Sequence, residues 1–526
     1  MTLLSRLMSR MAHLPPAETY NVLVERDLKA TMSDGVVLLA DRYAPRGVEN
    51  PPLILVRSPY GRRGIFGTVY GQLFAERGFQ VVMQSIRGTF GSGGTLSPFD
   101  EHNDGLATVA WLKQQPWYPG SFLTTGGSYL GFVQWAIARD AGADLKGMAI
   151  QESASEFRSQ TYTGGAYALD AALSWTNLVM HQEHMNLLWS LIFPASRRLK
   201  PLFQHLPLRD LDRLATGSQA AFFQEWLAHN EPGDPYWEGR CFDQTVGEVS
   251  VPVHLMAGWY DIFLPWQLRD YRTLRKHGQR PFLTIGPWSH TSPELAGLSH
   301  AEVIPWLQAV ARGEAEQYRQ ARVRIFVTGT NEWRELSDWP PPGVRAQRFH
   351  LQSGFRLAPD LPAASEPDHY RYDPADPTPS LAGPLLMGKA QPTDNRSLEA
   401  RADVLTYTST PLEQDLEVIG PVQADLFVQS SLEHTDFFVR LCDVDQQGTS
   451  INVCDALLRV TPGNPEQSPD GTLHLTFDLW PTAHRFRSGH HLRVQVSSGA
   501  HPRYARGPLR RRRRGCRPSR ARAPSA

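Results

Sequence analysis

The sequence predicts an α/β fold followed by an all-β domain. Over roughly the first 340 residues, apolar runs of strand length alternate with helical stretches, which is typical of a parallel sheet covered by helices. Beyond the proline-rich stretch 339–343 the pattern changes to short alternating strands, such as those around Val422 and Val494, without intervening helices. The proline-rich stretch is therefore the predicted domain boundary.

The first strands are predicted from residues 21–43, where two β-branched runs flank the turn Ser33-Asp34-Gly35 and form a hairpin. An apolar strand at 53–56, a helical stretch at 73–77 and a second strand at 79–83 follow. Strand, helix and strand in this order indicate a parallel sheet.

The α/β pattern continues along the chain with a helix at 106–113 and a strand at 122–125. The segment Gly-Gly-Ser-Tyr-Leu-Gly comes next, and a helix at 132–138 follows it. Buried strands return at 251–257 and 282–285, and the helical, aromatic segment at 153–230 that precedes them indicates a cap inserted between strands of the sheet. We expect these segments: a flexible arm 1–20, α/β parts 21–150 and 241–342, a helical cap 151–240, a β domain 343–505 and an Arg-rich disordered tail 506–526.

Composition limits the function classes. The 526 residues carry 53 basic and 53 acidic side chains, so no chain-wide field attracts nucleic acid or an anionic membrane. Four cysteines without CxxC spacing give neither a disulfide framework nor a zinc signature, which fits a reducing cytoplasm. No apolar stretch reaches the length of a membrane span. We expect no metal and no cofactor, and homo-oligomerisation is left open.

Three residues predict acyl-transfer chemistry. Ser128 lies between a predicted strand and helix, and Asp261 and His290 follow later strands, in the order Ser, Asp, His. A serine hydroxyl needs a histidine to accept its proton and a carboxylate to orient that histidine. The alternatives are that Ser128 lies in an ordinary Gly-Ser loop and that Asp261 and His290 are solvated loop residues. Loops at the carboxyl ends of parallel strands meet at one edge of the sheet, however, which favours convergence of the three residues.

Segments 126–131, 258–261 and 286–290 resemble the cocaine esterase and X-Pro dipeptidyl-peptidase family of serine hydrolases. The resemblance extends over nearly the whole chain, from residues 32–36 to residues 436–444. It implies an α/β-hydrolase domain, a helical cap and a carboxyl-terminal jelly roll that resembles galactose-binding domains.

The resemblance also implies further site residues. Tyr60 and the backbone N–H of Tyr129 correspond to the oxyanion donors, and Trp175 and Phe263 correspond to residues that line the acyl pocket. Without the resemblance, Tyr60 would be interpreted as a turn residue, and the two large apolar side chains would be interpreted as part of the core.

Two features depart from the family pattern. The segment Gln84-Ser85-Ile86-Arg87-Gly88 lacks the aspartate that the family usually has ahead of Arg-Gly, and the arginine run 510–514 replaces further jelly-roll sequence. We interpret that run as a truncation or a reading-frame change that leaves a sheet edge unpaired. Removal of the residues after Tyr504 is then expected to cost little stability.

The predicted function is hydrolysis of an ester or amide through a Ser-His-Asp triad and an acyl-enzyme, on a small ester or short peptide. The alternative is a catalytically silent scaffold that binds a glycan or partner through its jelly roll. A peptidase or an α-amino acid ester hydrolase needs an anionic site, for which Glu152, Glu156 and Asp170 are candidates. His181 and His184 could share a helical face as metal ligands, but solvated cap histidines explain them.

Overall fold

A computed structural model describes residues 3–184, 195–388, 390–463 and 468–507. Ten strands between residues 22 and 336 form one sheet. They are β1 (Val22–Thr31), β2 (Val37–Pro45), β3 (Leu53–Ser58), β4 (Gln80–Ser85), β5 (Phe122–Gly127), β6 (Leu145–Gln151), β7 (Val253–Tyr260), β8 (Phe282–Ser289), β9 (Val323–Val327) and β10 (Glu332–Leu336).

The spatial order of this sheet is β1-β2-β4-β3-β5-β6-β7-β8-β9-β10. The run from β4 to β9 is parallel, whereas β1, β2 and β10 extend its two edges in antiparallel pairing. Because parallel strands end at the same edge, the residues that follow β5, β6, β7 and β8 lie side by side.

Helices cover both faces of the sheet, as parallel strands buried on both sides require. In β3, Leu53 and Leu55 belong to one apolar core, and Ile54 and Val56 belong to the other. The α-helical and π-helical segments are Leu3–Met11, Gly64–Phe66, Gly67–Gln72, Leu73–Ala75, His102–Lys113, Tyr129–Ala138, Arg158–Thr161, Leu169–His181, Ala195–Leu199, Leu211–Thr216, Ala221–Ala228, Leu264–Lys276, Pro293–Ala311 and Arg396–Glu399.

The carboxyl-terminal region is all β, apart from the short helix Arg396–Glu399. Its strands are β11 (His350–Gln352), β12 (Arg356–Ala358), β13 (Leu405–Thr408), β14 (Leu416–Val428), β15 (Thr435–Val444), β16 (Ser450–Val460), β17 (Leu473–Phe486) and β18 (His491–Ser497). They form a six-stranded sheet, β11-β12-β13-β18-β15-β16, and a two-stranded sheet, β14-β17. The α/β-hydrolase fold with an all-β domain is confirmed, while the jelly-roll topology stays a prediction.

Some elements were not predicted from the sequence. β6, β9 and β10 extend the sheet, and β6 matters for function because it separates β5 from β7. The first residues, for which we expected a flexible arm, include the helix Leu3–Met11, and Ser5 Oγ donates to Glu76 Oε1 at 2.9 Å. No helix within the described ranges is long and apolar enough to span a bilayer.

The end of the described chain packs against the cap. Ala505 N donates to the Tyr167 carbonyl at 2.8 Å, and Arg506 donates to the Gln204 side-chain oxygen at 2.8 Å. These contacts of residues 505 and 506 argue against the expectation that removal of the residues after Tyr504 costs little stability. The arginine run 510–514 lies outside the described residues.

Candidate active site

Ser128 occupies a strained turn between β5 and the helix Tyr129–Ala138. Its φ of 57° and ψ of −125° are rare for a residue with a side chain, and such strain persists where surrounding structure enforces it. Gly126 before it has a φ of 151°, and a Cβ there would lie 2.4 Å from Leu130 Cβ. The turn therefore needs small residues and exposes the Ser128 hydroxyl at the sheet edge.

A chain of hydrogen bonds joins the three predicted residues. His290 Nε2 lies 3.0 Å from Ser128 Oγ, and His290 Nδ1 lies 2.7 Å from Asp261 Oδ2. Asp261 is fully buried, and its other oxygen accepts the Phe263 N–H at 2.7 Å. This arrangement fixes the orientation of the imidazole and directs Nε2 toward the hydroxyl.

Tyr60 lies beside Ser128, as the resemblance implied. The indole N–H of Trp175 donates to Tyr60 Oη at 2.9 Å, and the Tyr60 phenol also interacts with the Ser128 side chain. Burial raises the pKa of Tyr60, so the phenol keeps its proton at alkaline pH and can donate it. The Tyr129 N–H is in the first helical turn, where N–H groups have no intrahelical acceptor.

A buried network that the sequence analysis missed anchors the Tyr129 side chain. Its hydroxyl donates to Glu101 Oε1 at 2.7 Å and accepts the Phe99 N–H at 2.9 Å. Arg57 pairs with Glu101 at 2.9 Å, although burial of that carboxyl raises its pKa. Gln84, in the segment that departs from the family pattern, accepts from Arg57 Nε at 3.0 Å. The network fixes the residue whose N–H is predicted to face the developing charge.

Aromatic rings surround the hydroxyl on the cap side. Trp175 stacks on Tyr129, with ring centroids 5.9 Å apart and planes 4° apart. Phe263 lies 5.5 Å from the His290 ring and 4.3 Å from the Phe157 ring, centroid to centroid. Trp175 and Phe263 both adjoin the site, so the apolar wall that the sequence predicts is supported by this packing.

The three candidate carboxylates have different environments. Glu156 pairs with Arg269 at 2.8 Å, and Asp170 accepts the Leu386 N–H at 2.9 Å. Glu152 follows β6, has a φ of 30° and makes no side-chain hydrogen bond or ion pair with any residue that the structure describes. No sequence signal distinguished Glu152 from the other two carboxylates, because its position depends on β6, a strand that the sequence analysis did not predict.

The histidines considered as metal ligands do not form a site in the described part of the chain. His181 Nδ1 lies 2.9 Å from the Asn177 carbonyl, one helical turn away. No group of three or more His, Cys, Asp or Glu side chains able to hold a metal occurs among the described residues.

Comparison with known proteins places this geometry in a family. The X-Pro dipeptidyl-peptidase (S15) family matches residues 34–292, and the carboxyl-terminal non-catalytic domain of X-Pro dipeptidyl-peptidase matches residues 317–521. The cocaine esterase of Rhodococcus sp. (strain MB1 Bresler) is 31% identical over 92% of both chains. This chain is a member of the S15 family. It is a serine hydrolase of the X-Pro dipeptidyl-peptidase and cocaine esterase type.

Other relatives agree with this assignment. A putative serine esterase of Mycobacterium bovis is 25% identical over 89% of each chain. Among solved structures, an α-amino acid ester hydrolase superposes with a TM-score of 0.78 at 22% identity, covering 94% of this chain and 92% of that one. An aminopeptidase from a Thaumarchaeota archaeon gives 0.75 at 23% identity, covering 94% and 91%. These structures show the same fold.

Proposed function

We propose that this S15-family member hydrolyses carboxylic esters through an acyl-enzyme formed on Ser128. The observation that supports this assignment is the hydrogen-bonded chain from Ser128 Oγ to His290, at 3.0 Å, and from His290 to the buried Asp261, at 2.7 Å. Three residues separated widely in sequence converge in the geometry that nucleophilic catalysis needs.

The reaction follows from the positions of these groups. As Ser128 Oγ attacks the acyl carbon, its proton passes to His290 Nε2, and Asp261 stabilises the imidazolium that forms. The Tyr60 O–H and the Tyr129 N–H donate to the oxygen that becomes negatively charged. His290 then protonates the leaving group, and a water molecule activated by the same histidine releases the acid.

The aromatic wall of Trp175 and Phe263 supports an apolar or aromatic acyl group, because it removes apolar substrate surface from water. Ester substrates are preferred over Xaa-Pro peptides in this proposal, since Glu156 and Asp170 are engaged in structural contacts. We also propose a cytoplasmic location, because the sequence has only four cysteines and the three that the structure describes form no disulfide.

The test is a panel of p-nitrophenyl esters against Xaa-Pro p-nitroanilides, combined with intact-mass analysis after treatment with a fluorophosphonate. We expect ester turnover and one fluorophosphonate adduct per chain, which the Ser128→Ala variant loses. A folded protein that neither turns over esters nor takes up the label would instead favour the silent, glycan-binding scaffold.

A further inference from the structure

The helix Leu3–Met11 packs on the hydrolase domain through its small polar side chains. Ser5 is fully buried, and its hydroxyl donates to Glu76 Oε1 at 2.9 Å. Ser9, one turn later, accepts from Arg77 Nη2 at 3.0 Å. Residues four positions apart lie on the same side of a helix, so the side that meets the protein is the one that carries the serines.

The apolar side chains of this helix lie on a different side, which is exposed. Leu4 is 43%, Leu7 is 56% and Met11 is 73% exposed. Together with the half-buried Met8 they have the spacing i, i+3, i+4 and i+7, which forms one continuous apolar stripe on an α-helix. A surface helix ordinarily turns such a stripe toward the core, because burial of apolar surface stabilises the fold. Here the arrangement is inverted, so the apolar stripe is available to a partner outside the chain.

Basic side chains run beside the apolar stripe. Arg6 and Arg10 are exposed and lie one turn apart, and we call them the arginine pair. Leu298, which is 42% exposed, lies close to the end of the helix, because a Cβ on the adjacent Gly297 would lie 3.4 Å from Ala12 Cα. The chain as a whole has no net charge, so any attraction that the arginine pair exerts on an anionic partner is local.

A second copy of the chain fits this surface poorly. The helix has nine residues and is therefore about 14 Å long, whereas a stable contact between proteins buries roughly 1,000 Å² or more, which is more than one stripe of this length provides. Antiparallel pairing of two such stripes would also bring the arginine pairs of the two copies together, and like charges repel each other. Both arguments favour an anionic surface that is itself apolar beneath its charges.

We propose that the helix Leu3–Met11 docks the protein on an anionic lipid surface. The apolar stripe enters the boundary between headgroups and acyl chains, and the arginine pair contacts lipid phosphates. An apolar stripe beside basic residues is the pattern of helices that lie in the plane of a membrane interface. The proposed cytoplasmic location provides such a surface, because the cytoplasmic leaflet carries anionic lipids. This docking is independent of the proposed ester hydrolysis.

Vesicle flotation with the full chain tests the docking. The protein is mixed with vesicles of phosphatidylcholine alone, or of phosphatidylcholine with phosphatidylserine. The wild type should float with the mixed vesicles and less with the neutral ones, and its binding to the mixed vesicles should weaken as sodium chloride is added. A wild-type protein that does not float with the mixed vesicles at low salt would overturn the proposal.

Two double variants separate the apolar from the electrostatic contribution. Leu7→Gln with Met11→Gln should lower the partition coefficient on the mixed vesicles about 10- to 100-fold, because two apolar side chains no longer leave water. Arg6→Gln with Arg10→Gln should lower it about 5-fold per arginine on the mixed vesicles and hardly at all on the neutral ones. All four side chains are exposed, so both variants should keep the wild-type melting temperature. Wild-type partitioning of the apolar variant would contradict the docking.

Leu214→Gln with Leu361→Gln serves as the control for exposed apolar surface elsewhere. These two leucines are 50% and 82% exposed and lie outside the helix Leu3–Met11. The partition coefficient of this variant should equal that of the wild type. An equal loss in this variant and in Leu7→Gln with Met11→Gln would show that adhesion is not specific to the helix, and the proposal would be wrong.

Sedimentation velocity without vesicles tests the rival occupant. The wild type and the variant Leu7→Gln with Met11→Gln should sediment alike, because no contact between copies uses the apolar stripe. A wild type that self-associates, together with a variant that does not, would assign the stripe to a second copy of the chain and overturn the docking on lipid.

Discussion

Trp175 Nε1 donates a hydrogen bond to Tyr60 Oη over 2.9 Å, which links the cap directly to the proposed oxyanion donor. A phenol oxygen that accepts a bond from one side must direct its own hydrogen elsewhere, and Ser128 is the other side chain that interacts with the Tyr60 phenol. We therefore predict that the indole N–H orients the Tyr60 O–H toward the position where negative charge develops. Trp175 would then have this positioning role in addition to its proposed place in the apolar wall.

Trp175→Phe should lower kcat about 10-fold with little change in KM, because it removes one hydrogen bond that organises the transition-state donor. Steady-state kinetics on p-nitrophenyl acetate provide the measurement, since an acetyl group depends little on the aromatic wall. In the Tyr60→Phe background the same substitution should cause no further loss of kcat.

Trp226→Phe is the matched control. The Trp226 indole packs against Trp175 with ring centroids 5.7 Å apart and makes no hydrogen bond to Tyr60. Trp226→Phe should therefore change kcat much less than Trp175→Phe does. Equal losses of kcat from the two substitutions, or losses of kcat that add to that of Tyr60→Phe, would show that Trp175 contributes only to the apolar wall.

Tyr60→Phe alone should lower kcat by about 100- to 1,000-fold while KM stays within a small factor. The hydroxyl is proposed to bind a charge that exists only in the transition state, so substrate binding loses little. The fluorophosphonate should still label the variant, more slowly than the wild type. A wild-type kcat would restore the interpretation of Tyr60 as a turn residue.

Ser128→Ala should abolish ester turnover without a large change in melting temperature, because a single oxygen atom is removed. His290→Ala and Asp261→Asn should each reduce kcat strongly, and neither should reduce it further when combined with Ser128→Ala. Such non-additivity is the signature of groups that act as one unit. Losses that multiplied in the double variants would show that the residues act separately.

The sequence predicted the reacting groups because their signals are local. Ser128, Asp261 and His290 each follow a recognisable buried strand, and parallel strands end at one edge, so their convergence follows from topology. Tyr60 could be assigned only through the family resemblance, since a Pro-Tyr turn carries no signal of its own.

The supporting groups could not be predicted because their partners come from distant parts of the chain. Glu101 and Arg57 are 44 positions apart, and nothing local indicates that one neutralises the other beneath Tyr129. Glu152 was only one of three acidic candidates while β6 was missing from the predicted sheet. Whether a terminal segment packs against the rest of the protein also depends on tertiary contacts. The helix Leu3–Met11, where we expected a flexible arm, illustrates this.

Asp170→Asn should make the melting temperature less sensitive to pH. Burial raises the pKa of Asp170 to about 6 in the folded protein, above its ordinary value of 3.8. The folded state then binds the proton more tightly than the unfolded state, so stability falls as pH rises from about 4 to about 6. The difference corresponds to roughly 3 kcal/mol, and above that window the penalty is fully present.

The measured quantity is the melting temperature of Asp170→Asn minus that of the wild type, across this pH window. It should become more positive with rising pH. Asp394→Asn is a control without pH dependence in this window, because Arg396 lowers the pKa of Asp394 below its ordinary value of 3.8 and the stabilising charge is lost only at lower pH. A pH-independent difference for Asp170→Asn would show that this carboxyl titrates alike in both states.

The final prediction concerns residues 505–507, which join the β domain to the cap. Ala505 is 3% exposed, its N–H donates to the Tyr167 carbonyl at 2.8 Å, and its own carbonyl accepts from Arg459 at 2.8 Å. A chain ending at Tyr504 loses these bonds and the Arg506 contact to Gln204, at a cost of about 2 kcal/mol or more. Its melting temperature should fall below that of a chain ending at Gly507, by differential scanning calorimetry at equal protein concentration. Equal melting temperatures for the two shortened chains would show that these contacts contribute nothing and that the domain is complete at Tyr504.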